Sequence, residues 1–152
     1  MKDISKHIAI VGAGISGLAL GIILKKNNIP CLIFEKSERI SEYGAGISLS
    51  PNGLRVLKDL EVFNNIKTNS CNPRNGIFFS RSNQIANTSI NVITTSRDLL
   101  HKTLYEKYIS MDGDVLFNHE LSDLSLDSKS LNFTNKKIYK PFHTIGADGI
   151  RS

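Results

Sequence analysis

The sequence predicts an α/β fold with a parallel sheet and an inserted antiparallel piece. Three observations carry that expectation. The apolar run His7–Val11 ends at Gly12-Ala-Gly14-Ile-Ser-Gly17, and an apolar pattern of helical spacing follows at once. A second apolar run, Cys31–Phe34, comes directly after the helix-breaking stretch Asn27-Asn28-Ile29-Pro30. From about residue 114 onward the chain reads as short strands separated by turn residues. Element types that alternate early and turn strand-rich late are the signature of such a fold.

Each element has its own signal. His7–Val11 is short, apolar and closed by a glycine, so it reads as a buried strand. Ile15, Leu18, Ala19, Ile22 and Ile23 lie on one helical face, and Lys25 and Lys26 suit the negative C-terminal end of that helix. Cys31–Phe34 is a second buried strand, and strand–helix–strand implies parallel pairing through a crossover. Gly44–Ser50 is glycine-rich and extended. Pro51 opens a helix marked by Leu54, Leu57 and Leu60. Asn64–Asn75 is polar and reads as irregular. Gly76–Phe79 and Ile85–Ile93 are strands about a turn near Ser82-Asn83. Thr95, with Asp98 three residues on, fits the capping box of a helix reaching about Ile109. Asp114–Asn118, Leu121–Leu126, Leu131–Phe133 and Tyr139–Ile145 are strands, with turns at Asp127–Ser130 and Asn135–Lys137.

Composition narrows the class. The 152 residues suffice for one domain with a real core, and 40% hydrophobic with 22% charged residues is ordinary for a soluble globular chain. The net charge of +5 comes from scattered lysines, which at most favour anionic small molecules. No basic stripe is interleaved with aromatics, so no nucleic-acid partner is expected. Ile8–Leu24 is uncharged, but its three spaced glycines and the following Lys25-Lys26 argue against a signal peptide, and no stretch reaches membrane-span length. With Cys31 in an apolar run and Cys71 in a polar one, no disulfide framework is implied; a reducing, cytoplasmic setting is expected. His7, His101, His119 and His143 lack metal-ligand spacing, and no serine or cysteine stands in a nucleophile motif.

The chemistry-bearing pattern is Gly12-x-Gly14-x-x-Gly17 between a strand and a helix. In that context the first glycine permits a tight turn, the second lets a pyrophosphate approach the backbone, and the third lets the helix pack closely. The backbone of Gly12, Ala13, Gly14, Ile15, Ser16 and Gly17 is therefore the candidate phosphate cradle, aided by the helix N-terminus. Glu35 closes the second strand, where a carboxylate can accept from ribose hydroxyls, and Lys36 beside it is a further candidate near the ribose. An unphosphorylated ribose fits both NAD and the adenosine half of FAD, and the motif does not separate them.

Three later segments bear on that choice. Gly44-Ala-Gly46-Ile47-Ser-Leu-Ser-Pro51-Asn-Gly-Leu-Arg-Val-Leu57, Arg97-Asp-Leu-Leu100-His-Lys-Thr-Leu104 and Gly146-Ala-Asp148-Gly149 follow the glycine motif in order. In that order the chain resembles the FAD-dependent aromatic hydroxylases, single-component flavoprotein monooxygenases that include salicylate hydroxylase. The resemblance covers nearly the whole chain. It implies a Rossmann-like FAD-binding domain over residues 1–152, with Gly46 and Ile47 passing beside the flavin and Ser48 near the ring. It also implies that Arg97 contacts FAD, and that Asp148 helps hold FAD and is linked to NAD(P)H. The resemblance implies that the flavin carries the redox chemistry with NAD(P)H and molecular oxygen, on a small aromatic substrate, so no catalytic residue is named in this chain.

The sequence departs from that family in two respects. The arginine that members often carry before the Gly-Ala-Gly segment has no clear counterpart in Arg39-Ile-Ser-Glu-Tyr43. The later Gly-Asp-Ala flavin motif and the domain forming the substrate pocket are absent, so the chain reads as truncated before its substrate half. Two other readings remain open here: a non-catalytic FAD-binding fragment or truncated gene product, and an NAD-dependent dehydrogenase domain. Epoxidases, halogenases and reductases of isoprenoid chains would share this first half.

Overall fold

The computed structural model describes residues 3–40, 45–127 and 129–149. In chain order the elements begin with β1 (Ile8–Val11), α1 (Ile15–Lys26), β2 (Cys31–Phe34), β3 (Gly46–Leu49), α2 (Pro51–Asp59), α3 (Phe63–Thr68), β4 (Asn75–Ser80) and β5 (Asn83–Ser89). They continue with β6 (Ile93–Ser96), α4 (Arg97–Ser110), β7 (Val115–Leu116), β8 (Leu121–Ser125), β9 (Ser130–Phe133), β10 (Ile138–Tyr139) and β11 (His143–Gly146). Two compact units result: Met1–Ser41 with Leu104–Ser152, and Glu42–Thr103.

The first unit is built on a parallel sheet in the order β11-β1-β2-β7. Strand β2 is buried along its whole length, and so are the last three residues of β1, which explains their unbroken apolar runs. Alternation along the strands sends Cys31 and Ile33 to one face. There Cys31 Sγ lies 3.8 Å from the Gly21 carbonyl of α1 and 3.6 Å from Tyr108 Oη of α4. A Cβ added at Gly21 would meet Tyr108 at 2.8 Å, so this glycine lets helix and phenol ring approach. The other face presents Ala9, Val11, Leu32 and Phe34 to Leu131, Phe133 and Tyr139, forming one core. Those last three residues belong to an antiparallel sheet ordered β10-β9-β8. This antiparallel sheet occupies the connection from β7 to β11, the two edge strands of the parallel sheet.

In the second unit β3 pairs antiparallel with β6, and β4 with β5. Its core includes Leu49, Leu57, Leu60, Val62, Ile66 and Ile93.

Four expectations need correction. Asn64–Asn75 is not irregular throughout, because α3 occupies its first part; Val62 and Ile66, one helical turn apart, are buried and anchor that turn. Ile85–Ile93 is not one strand: β5 ends at Ser89, Ile90 N–H donates to the Arg74 carbonyl, and β6 then pairs with β3. Tyr139–Ile145 is likewise two strands in two sheets, β10 with β9 and β11 with β1, separated around the buried Pro141, which has no N–H for a ladder. Thr95 is not the cap of α4. It lies in β6, and Ser96 Oγ accepts from Leu99 N–H at 3.1 Å instead. Gly44, Ser128 and the closing Ile150-Arg151-Ser152 lie outside the described residues. Among the described residues no helix is long and apolar enough to cross a membrane.

Candidate functional site

The glycine loop connects β1 to α1. Gly12 has φ +106, and a Cβ there would stand 2.5 Å from the Ala147 carbonyl oxygen, so both backbone conformation and space demand glycine. Its N–H donates to the Phe34 carbonyl at 2.7 Å. A Cβ at Gly17 would stand 2.0 Å from the Gly12 carbonyl oxygen, so the first turn of α1 lies directly on the loop. Gly14 is different. Its φ of −69 and ψ of −178 suit any residue, and a Cβ there would meet nothing within 4 Å. Nothing among the described residues requires glycine at this position, and the space it leaves among them is open.

That space borders the N-terminus of α1. Gly14 is the N-cap, no side chain caps the helix, and no acidic residue lies in its first turn. Leu18 N–H donates to the Gly14 carbonyl at 3.0 Å, so the amides of Ile15, Ser16 and Gly17 precede the first helical bond. Donors of this kind, at the positive end of a helix dipole, suit an anion. Ala13 is buried, Ile15 half-buried and Ser16 exposed.

Glu35 closes β2 beside this loop and is half-buried. Its Oε2 accepts from Ala13 N–H at 2.8 Å and its Oε1 from Ser37 N–H at 2.9 Å. Each oxygen keeps a further lone pair, so the carboxylate can still accept from two hydroxyls. Lys36 is exposed. On the other side of the loop, Ala147 N–H donates to the Val11 carbonyl at 2.7 Å, extending the β1–β11 ladder into the exposed Asp148. Gly149 follows with φ +87. The two ends of the sequence thus meet: the Gly146–Gly149 turn is the wall against which Gly12 and Gly17 are packed.

In the second unit Gly46 pairs with Ser96 and Ile47 with Thr95. Arg97 is exposed at the first position of α4, and its N–H donates to the Ala45 carbonyl at 3.1 Å. Ser48 Oγ lies 3.3 Å from Thr94 Oγ1. Gly46, Ile47 and Arg97, far apart in sequence, therefore share one end of the β3–β6 pair. The anticipated site residues fall into two groups: Gly12–Gly17, Glu35, Lys36 and Asp148 in the first unit, and Gly46, Ile47 and Arg97 in the second. Sequence reasoning did not single out Ala147, whose carbonyl fixes Gly12. Its signal was a small residue beside an Asp-Gly turn.

A family profile described as FAD binding domain matches residues 5–152. The chain is 32% identical to the FAD-dependent monooxygenase pytG of Aspergillus terreus over 95% of its own length and 47% of that protein. A shorter stretch of 60 residues is 47% identical to 3-amino-4-hydroxybenzoate 2-monooxygenase of Streptomyces cremeus, covering 40% of this chain and 15% of that one. Among solved structures, a variant of 2-methyl-3-hydroxypyridine-5-carboxylic acid oxygenase superposes with a TM-score of 0.90 at 25% identity, over 97% of this chain and 40% of the oxygenase. The chain spans less than half the length of these relatives. With a match that runs through every motif described above, the chain belongs to the FAD binding domain family.

Proposed function

We propose that this chain is the FAD-holding portion of an NAD(P)H- and oxygen-dependent monooxygenase acting on an aromatic or related small molecule. The observation that carries the proposal is Gly14, a glycine with ordinary backbone angles, open space at its Cβ position and an uncapped helix end beside it. A methyl group there would occupy the volume through which a pyrophosphate reaches the amides of Ile15, Ser16 and Gly17. In this reading Ala13 and the three glycines shape the cradle, Glu35 accepts from the adenosine ribose, and Lys36 stands at its rim. Gly46 and Ile47 are read as offering flat backbone to the ring system, and Arg97 and Asp148 as cofactor contacts, each within its own unit. When bound, the flavin supplies the redox chemistry, taking reducing equivalents from NAD(P)H and delivering them to oxygen. The chain's own residues bind and orient it. Similarity to an amino-hydroxybenzoate monooxygenase and to a hydroxypyridine carboxylic acid oxygenase supports an aromatic substrate. Residues 1–152 are read as the FAD domain, and the substrate pocket as belonging to the length that relatives have in addition.

The test is a fluorescence titration of the purified chain with FAD and, separately, with NAD+. Saturable FAD binding that weakens on the order of tenfold or more in Glu35→Ala is expected, since a charge-assisted hydrogen bond contributes about 1.5–3 kcal/mol. Tight NAD+ binding without FAD binding would overturn the proposal.

A further inference from the structure

We propose that His119 is a positioning residue for the Glu35 carboxylate, and that the antiparallel sheet β8–β10 supports the ribose end of the cofactor site through it. This rests on the reading of Glu35 given above. The Glu35 N–H donates to the Leu116 carbonyl at 2.9 Å, and the His119 N–H donates to the Glu35 carbonyl at 2.8 Å. Asn118 N–H donates to the Ser37 carbonyl at 3.0 Å. The corner that carries Glu35 and Ser37 is thus tied to the segment Leu116–His119. Since Ser37 N–H holds Glu35 Oε1, the carboxylate keeps its aim only while this corner is fixed.

The segment in turn is fixed by the His119 ring, which is 4% exposed. Nδ1 lies 2.6 Å from the Phe117 carbonyl, an acceptor only, so Nδ1 carries the proton and donates. Nε2, 3.3 Å from Tyr139 Oη on β10, then accepts from the phenol. The ring packs against Phe34 at 5.6 Å, Phe133 at 5.2 Å and Tyr139 at 5.7 Å between centroids. Phe34 directly precedes Glu35, is fully buried, and stacks on Phe133 of β9 at 4.7 Å. A phenylalanine would keep an aromatic ring against Phe34, Phe133 and Tyr139. What imidazole adds is a hydrogen bond at each end, one to its own loop and one to the antiparallel sheet, and both bear on the loop that grips Glu35.

The test measures FAD affinity for His119→Phe, Tyr139→Phe and His119→Asn, each with Glu35 present and each in a Glu35→Gln background. His119→Phe should weaken FAD on the order of tenfold when Glu35 is present and less than about twofold in the Glu35→Gln background. Tyr139→Phe, a gentler change that serves if His119→Phe does not fold, should weaken it about threefold with the same dependence on Glu35. His119→Asn, whose amide can replace the Nδ1 donor, should recover most of the loss. Equal losses in both backgrounds, or none in either, would overturn the inference while leaving the Glu35 reading intact. A wild-type chain that ignores FAD would overturn the Glu35 reading and this inference with it.

Discussion

Replacing Gly14 with serine should raise stability and lower FAD affinity at once. Gly14 is the N-cap of α1, in extended conformation, with no side chain capping the helix and nothing within 4 Å of its Cβ position. Serine there can accept from an amide of the first turn, worth a few tenths of a kcal/mol over glycine. It also removes unfolded-state freedom worth about 0.4–1 kcal/mol. Together these give roughly 0.5–1.5 kcal/mol, and each kcal/mol moves Tm by about 2–4 °C for a chain of this size. The same hydroxyl occupies the space in front of the helix and takes an amide from the phosphate. Loss of one charge-assisted hydrogen bond, about 1.5–3 kcal/mol, weakens FAD on the order of ten- to a hundredfold. Thermal denaturation without ligand and a fluorescence titration with FAD read the two effects separately. Gly17→Ala is the control: its Cβ would lie 2.0 Å from the Gly12 carbonyl oxygen, so stability and affinity should fall together. If Gly14→Ser stabilises the chain but leaves FAD affinity unchanged, the open space is not where the cofactor lies. If it destabilises, the account of the helix start is wrong.

Further outcomes are expected at the start of α4 and at alkaline pH. Ser96→Ala should cost about 1 kcal/mol by removing the bond to Leu99 N–H. Thr95→Val should be neutral or stabilising, because the Thr95 hydroxyl is buried with no hydrogen-bond partner among the described residues; urea denaturation giving the reverse order would return the cap to Thr95. Stability should also fall at alkaline pH. Burial pushes the Cys31 thiol above its ordinary 9.0 and the Tyr108 phenol above its ordinary 10.0. Both shifts are upward, so the stabilisation is complete below the unfolded values. It is lost as pH climbs past them, where the unfolded chain releases protons that the folded chain retains. Denaturation midpoints measured from about pH 8 to about pH 11 should decline, and Tyr108→Phe should flatten the decline; a flat wild-type profile would contradict the burial of this pair.

Much of the first unit was legible because its signals are local. The apolar runs of β1 and β2 are continuous since a parallel sheet is covered on both faces, and the glycine spacing marks a loop whose third glycine packs on the carbonyl of the first, five residues back. The late strands were harder. Tyr139–Ile145 looks like one apolar strand, and nothing local shows that Tyr139 pairs with Leu131 while its end pairs with β1. The cap of α4 was misread by one residue because threonine and serine stand side by side and either can accept from a first-turn amide.

The sequence by itself determined the strand–loop–helix–strand unit, the acidic end of its second strand and the order of the later motifs. Each is written in residue type and short spacing, which fix the backbone within a turn or two. Only the tertiary structure decided that Ala147 and Asp148 close against the loop of Gly12 and Gly17, that Gly46 and Ile47 lie beside Ser96 and Thr95, and that a buried histidine ties an antiparallel sheet to Glu35. Those meetings join residues distant in the chain, and their partners are selected by strand pairing and close packing, which no local spacing encodes.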